Sequence, residues 1–149
     1  MPNEIAGKSQ VTMTLSTQVT ETRTLQVTPI NPAIFTGSDG YTLALNQDGS
    51  LNSENSPAKP GSIVTIFLTG IGVTNPPDPT GTINETLIPL NLDLQVPWGL
   101  VLSARAATGS FSGVWQITAQ LPATPYQNDW VVLVARHPAR EDVQLWVSW

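Results

Sequence analysis

The chain has 149 residues, the length of one domain or of one domain with a fragment of another, and enough to bury a substantial core. Charged side chains make up only 11% of it and the net charge is −5, so the Lys/Arg footprint that a nucleic-acid binder needs is missing. With no cysteine and a single histidine, His137, thiol catalysis, a disulfide framework and a Cys/His zinc centre are excluded.

No apolar run approaches the ~20 residues of a membrane-spanning helix, and the opening segment MPNEIAGKSQ lacks the charged and apolar regions of a secretory signal. The 11 glycines and 13 prolines are spread along the chain, and neither suits a helix interior. The longest stretch free of both, Lys8 to Thr28, carries seven threonines, which are stiff at χ1 and favour strands.

In chain order, Val11, Met13 and Leu15 alternate with Thr12 and Thr14, the period of a half-buried strand. Asp48-Gly49, between Thr42–Asn46 and Ser50–Asn52, marks a hairpin. Lys59-Pro60-Gly61 suits a type II turn with Pro second and Gly third. Ile63 to Leu68 is a nearly continuous apolar run, as expected of a central strand. Asn75-Pro76-Pro77-Asp78-Pro79 must be a loop. Leu90, Leu92, Leu94 and Val96 alternate with polar residues, as do Trp115, Ile117, Ala119 and Leu121. Trp130 to Val134 reads as a second central strand, and Val143, Leu145 and Val147 alternate with Gln144, Trp146 and Ser148. Many short strands separated by turns predict an all-β chain, specifically an immunoglobulin-like antiparallel β-sandwich.

Residues 10–29 and 130–149 echo each other, each reading as a strand, a polar connection and a second strand: Val11 aligns with Val131, Met13 with Leu133, Leu25 with Leu145 and Val27 with Val147. Two readings stand. Any two β-hairpins share alternating Val and Leu. Alternatively, residues 1–29 are the last hairpin of a preceding module and 30–149 are one complete β-sandwich domain.

The stretch from Pro32 to Gly81 carries a family pattern: Pro32-Ala33-Ile34-Phe35-Thr36, Asn46-Gln47-Asp48-Gly49-Ser50-Leu51-Asn52-Ser53, Pro57-Ala58-Lys59-Pro60-Gly61 and Thr69-Gly70-Ile71-Gly72. Val114-Trp115-Gln116-Ile117 through Leu121-Pro122 continues it. This pattern resembles the Solibacter-type C-terminal domain of uncharacterised, mostly secreted bacterial proteins. The chain departs from it at Val96-Pro97-Trp98-Gly99, where the family usually has Ile-Gly-Gly, and at His137-Pro138, where a Gly-rich turn is usual. Residues Pro2 to Gly7 are similar to the end of the module that precedes this domain in the family. The resemblance implies an immunoglobulin-like module at the cell surface or outside the cell, with neighbouring modules of a longer chain or a surface polymer as partners. It transfers no reaction.

Few residues invite chemistry. The carboxylates mostly adjoin Gly, Pro or Asn, where they solvate loops and cap turns; a hydrolase with two loop carboxylates is the weaker reading. Asn46-x-Asp48-x-Ser50-x-Asn52 puts oxygens at alternate positions, as a calcium loop does, but the later bidentate Glu is missing and Gly49 falls at the wrong point, which favours a hairpin turn. His137 lies in Arg136-His137-Pro138-Ala139-Arg140 without a nucleophile motif. Gly70-Ile71-Gly72 follows a strand but precedes no helix, so the nucleotide-loop reading fails. Asn84-Glu85-Thr86 matches a glycosylation acceptor.

Five tryptophans remain. Trp115 is expected in the core and Trp130 half-buried. Trp98, at its Pro-Trp-Gly bend, and Trp146, on the polar phase of its strand, are expected at the surface. There they would stack on a sugar or anchor a partner, or Trp146 and Trp149 would cover the face on which a neighbouring module docks. The sequence thus predicts a non-catalytic extracellular module, a spacer, adhesive unit or terminal domain, with no cofactor. The alternative is a carbohydrate-binding module using Trp98 or Trp146.

Overall fold

In a computed structural model, the described residues are 28, 30–72, 81–85, 88–90, 94–125 and 141–149, with the strand backbone at 10–15, 18–24, 131–134 and 140. Ten strands form among the described residues: β1 (Gln10–Leu15), β2 (Gln18–Thr24), β3 (Ala33–Ile34), β4 (Ala44–Leu45), β5 (Ile63–Thr69), β6 (Leu94–Gln95), β7 (Leu100–Ala106), β8 (Trp115–Gln120), β9 (Val131–Val134) and β10 (Arg140–Asp142). No helix occurs among the described residues, and so none is long and apolar enough to cross a membrane.

The larger sheet runs β3-β5-β8-β7, with β4 also paired to β5; the smaller runs β10-β9-β6. Every ladder between these strands is antiparallel, and an isolated bridge between Ala58 and Val147 is parallel. β1 and β2 pair with each other and with no other described strand.

The period-two expectation holds where the core is built. Val64, Ile66 and Leu68 of β5 lie opposite Ala119, Ile117 and Trp115 of β8, and all six are buried. β5 is central, as its apolar run predicts, but only alternate residues are buried, with Ile63, Thr65, Phe67 and Thr69 half-exposed on the other face. On β7, Val101 and Ala104 face Ala119 and Ile117 although they are three residues apart. A register shift between Val101 and Ser103 makes this possible: Leu102 is the extra residue of a β-bulge, unpaired and 47% exposed. Leu94, Val96 and Val143 join the same apolar cluster, so residues from both sheets share one core.

Both turn signals are realised. Gly49 N–H donates to Asn46 O at 2.9 Å and Asn46 N–H to Ser50 O at 2.8 Å, with Gly49 at φ 83°, which is a three-residue hairpin loop with a left-handed third residue. Ser62 N–H donates to Lys59 O at 3.0 Å across Pro60 and Gly61, whose φ is 73°, the type II geometry. The Asn75–Pro79 loop and the side chain of Trp130 lie outside the described residues.

Two expectations need correction. Trp98 is not at the surface: it is 2% exposed and belongs to the core cluster. Its bend closes with Gly99 N–H donating to Val96 O at 2.9 Å, which carries the chain from β6 to β7 and turns the indole inward. Gly99 permits this path, because a Cβ there would sit 2.2 Å from the carbonyl oxygen of Gln120. The second concerns the C-terminal hairpin. Its return strand is β10, Arg140–Asp142, not the alternating stretch that follows. That stretch leaves β9 and runs along residues 42–58 instead.

Candidate functional site

The C-terminal segment 143–149 is fastened mostly by groups that are not strand partners. Thr42 N–H donates to Gln144 O at 2.9 Å, and Gln144 N–H donates to Thr42 Oγ1 at 2.9 Å. Ala58 N–H donates to Trp146 O at 2.9 Å, and Ser148 N–H to Ala58 O at 3.0 Å. Between them sits Asn52, 7% exposed. Its Nδ2 donates to Trp146 O at 2.8 Å and its Oδ1 accepts from Trp146 N–H at 2.9 Å. A side-chain amide thus takes the place of a neighbouring strand's peptide group.

Asn52 is in turn held by the hairpin it belongs to. Its Nδ2 also donates to Asn46 Oδ1 at 3.0 Å, and Asn46 Nδ2 donates to Ser56 O at 2.8 Å and Ser50 Oγ at 3.1 Å. Ser50 Oγ and N–H donate to Asp48 Oδ1 at 2.6 and 3.0 Å. These bonds from Ser50 hold the Asp48 carboxyl below its ordinary value. The four alternating oxygen residues are therefore bonded to one another and to the tail as a turn network. Among the described residues no three His, Asp or Glu side chains are grouped to hold a metal ion.

With its backbone fixed, Trp146 lays its indole on Tyr41, ring centroids 4.2 Å apart and planes 16° from parallel. Trp146 is half-buried, and its indole N–H is buried without an acceptor. Beside the pair lies an open depression of about 260 Å³ lined by Tyr41, Val143, Gln144, Leu145, Val147 and Trp149. Trp149 is 52% exposed. Of the two tryptophans proposed for surface contact, only Trp146 stands at this face. The sequence missed its partner Tyr41, which is set in place by Asp39 Oδ1 accepting from Tyr41 N–H at 3.0 Å.

Other candidates resolve into structure. Asp39 and Asp48 both cap turns by accepting from the backbone N–H two residues on. Asn84 is 4% exposed; its Nδ2 donates to the carbonyls of Ala107, Phe111 and Val114 at 3.3, 3.2 and 3.5 Å. The acceptor nitrogen of the glycosylation triplet thus lies inside the fold, pinning the β7–β8 connection. Gly70 serves a close approach: a Cβ there would sit 1.9 Å from Asn31 O, whose own N–H donates to Gly70 O at 2.8 Å. His137 lies outside the described residues.

Comparison with models of protein families, with curated proteins and with solved structures finds no match for this chain.

Proposed function

We propose that this chain is a non-catalytic, immunoglobulin-like β-sandwich module of the Solibacter-type C-terminal kind, acting as spacer, adhesive unit or terminal domain of a secreted or surface protein. Residues 30–149 are the module, and 1–29 are the closing hairpin of the one before it. The observation that carries this reading is the division of the pairing: β1 and β2 bond only to each other among the described strands, while residues of the larger and smaller sheets share one core. The capping duties of Asp39 and Asp48 agree with it, since carboxylates spent on turn geometry are poorly placed for acid–base work. Fold-level analogy supplies the rest.

The test is to compare the full chain with one lacking residues 1–27. A single cooperative melt, unchanged within about 3 °C, supports the division, because that shift corresponds to about 1 kcal/mol or less in a domain of this size. Loss of the cooperative transition assigns the hairpin to the same core and overturns it. A second reading, a carbohydrate-binding module, is favoured by the Tyr41–Trp146 stack, with Trp98 removed from the site by its burial.

A further inference from the structure

The geometry points to a binding site for a neutral pyranose sugar in the depression beside the Tyr41–Trp146 stack. This deepens the carbohydrate-binding reading and is independent of the module reading. Three features carry it. The first is the composition of the lining: two aromatic residues, Tyr41 and Trp149, beside the apolar Val143, Leu145 and Val147. A pyranose has one face of C–H groups that packs against an aromatic ring and a rim of hydroxyls that must be hydrogen-bonded.

The second is the polar complement. Gln144 lines the same depression, and its backbone is pinned on both sides by Thr42. Its exposed side-chain amide makes no hydrogen bond within the described residues, and neither does the Tyr41 hydroxyl. One amide and one phenol offer donors and acceptors to hydroxyls. None of the six lining side chains is charged at neutral pH, and no cation stands among them for a sugar acid or a phosphate to pair with.

The third is size and rigidity. About 260 Å³ falls below the range of roughly 300–1,000 Å³ typical of drug-sized ligand pockets, so one ring is held and the remainder of a chain extends into solvent through the open mouth. Tyr41 is already set by its stack on Trp146 at 4.2 Å and by the fastened backbone of Trp146, so this ring loses little freedom on binding.

The experiment is a titration of the full chain with cellopentaose, xylopentaose and N-acetylchitopentaose, followed by tryptophan fluorescence and by two-dimensional amide NMR, with trigalacturonate as the charged control. At least one neutral oligosaccharide is expected to give saturable shifts at Gln144 and Trp149, half-complete between about 0.1 and 5 mM. Gln144→Ala is expected to weaken it about tenfold with the melting temperature unchanged, Trp149→Ala to weaken it about tenfold with the cooperative melt retained, and Tyr41→Phe to weaken it less. No saturable shift with any of the three up to about 20 mM overturns the proposal. So does stronger binding of trigalacturonate. Shifts at this face that depend on protein concentration and not on sugar would instead make it a contact between copies, and also overturn it. The comparison with the chain lacking residues 1–27 reads the module division separately and is not altered by any of these results.

Discussion

Replacing Asn52 tests whether a side-chain amide fixes the C-terminal segment. Asn52→Ala removes three hydrogen bonds, two to Trp146 and one to Asn46. The partners do not suffer equally. Trp146 O keeps its bond from Ala58 N–H at 2.9 Å, so its loss is partial. Trp146 N–H is part-buried and has no second acceptor, so leaving it unpaired costs up to about 1–3 kcal/mol, the figure for a fully buried donor. With about 1 kcal/mol for the remaining bonds, the expected loss is about 3 kcal/mol, a large share of the 5–15 kcal/mol that holds a typical domain. In urea this lowers the midpoint by about 1.5 M at an unchanged slope near 2 kcal/mol/M. Hydrogen exchange supplies the local readout: the amides of Trp146 and Ala58 should speed up far more than those of β8. Asn52→Asp sharpens the test, because the introduced oxygen would face Asn46 Oδ1 and Trp146 O at 3.0 and 2.8 Å. Burial and these acceptors raise that carboxyl's pKa in the folded state, so the folded state binds more protons and the variant gains stability as pH falls. A loss below about 0.5 kcal/mol for Asn52→Ala, or exchange that rises uniformly across the protein, would refute the reasoning.

Three further predictions follow from the same geometry. Trp146→Phe keeps a ring on Tyr41 and deletes the buried indole N–H that has no acceptor; the relief of about 1–3 kcal/mol should offset most of the lost contact area, leaving a denaturation midpoint within about 1 kcal/mol of the parent. Gly70→Ala and Gly49→Ala both place a side chain at positive φ, but a Cβ at Gly70 would lie 1.9 Å from Asn31 O while Gly49 has nothing within 4 Å. Gly49→Ala should therefore cost about 1–2 kcal/mol and Gly70→Ala clearly more, measured by urea melts. Ser50→Ala removes the hydroxyl that donates to Asp48, so the Asp48 carboxyl should titrate closer to its ordinary 3.8 by NMR. Because the folded value is depressed, the stability Asp48 contributes is present above 3.8 and is lost as pH falls through the lower folded value; in the variant that acid-side loss should shrink.

What the sequence reveals depends on how far each feature follows from local chemistry. From Trp115 through β8 to Leu121 just beyond it the period is strictly two, and the four apolar residues are all 3% exposed or less. The Asp48-Gly49 and Pro60-Gly61 turns are equally local, since each is set by one residue at positive φ and one at a fixed or capping position. β7 is different. LVLSARA breaks alternation because Leu102 is a bulge, so inward residues fall three apart, and no periodic template reads that. Trp98 is misplaced for a related reason: a Pro-Trp-Gly bend looks like surface, and only the crossing from one sheet to the other directs its indole into the core.

The candidate site is legible in pieces and not in its assembly. Trp146 can be singled out from its phase alone, but its neighbours come from far away in sequence: Tyr41 is 105 positions earlier and Asn52 is 94. The residues that place the tail are an amide and a threonine hydroxyl, types with no sequence pattern of their own. This has a consequence for recognition. A tail held by two ordinary ladder strands would shift with any register change, whereas a tail pinned at Trp146 by a bidentate amide has one permitted register. The Tyr41–Trp146 stack is then an outcome of that register and not a free encounter of two surface rings. An aromatic wall fixed in this way binds with little further ordering. It follows that Asn52→Ala, which alters none of the residues lining the depression, should still reduce sugar affinity, read in the same oligosaccharide titration.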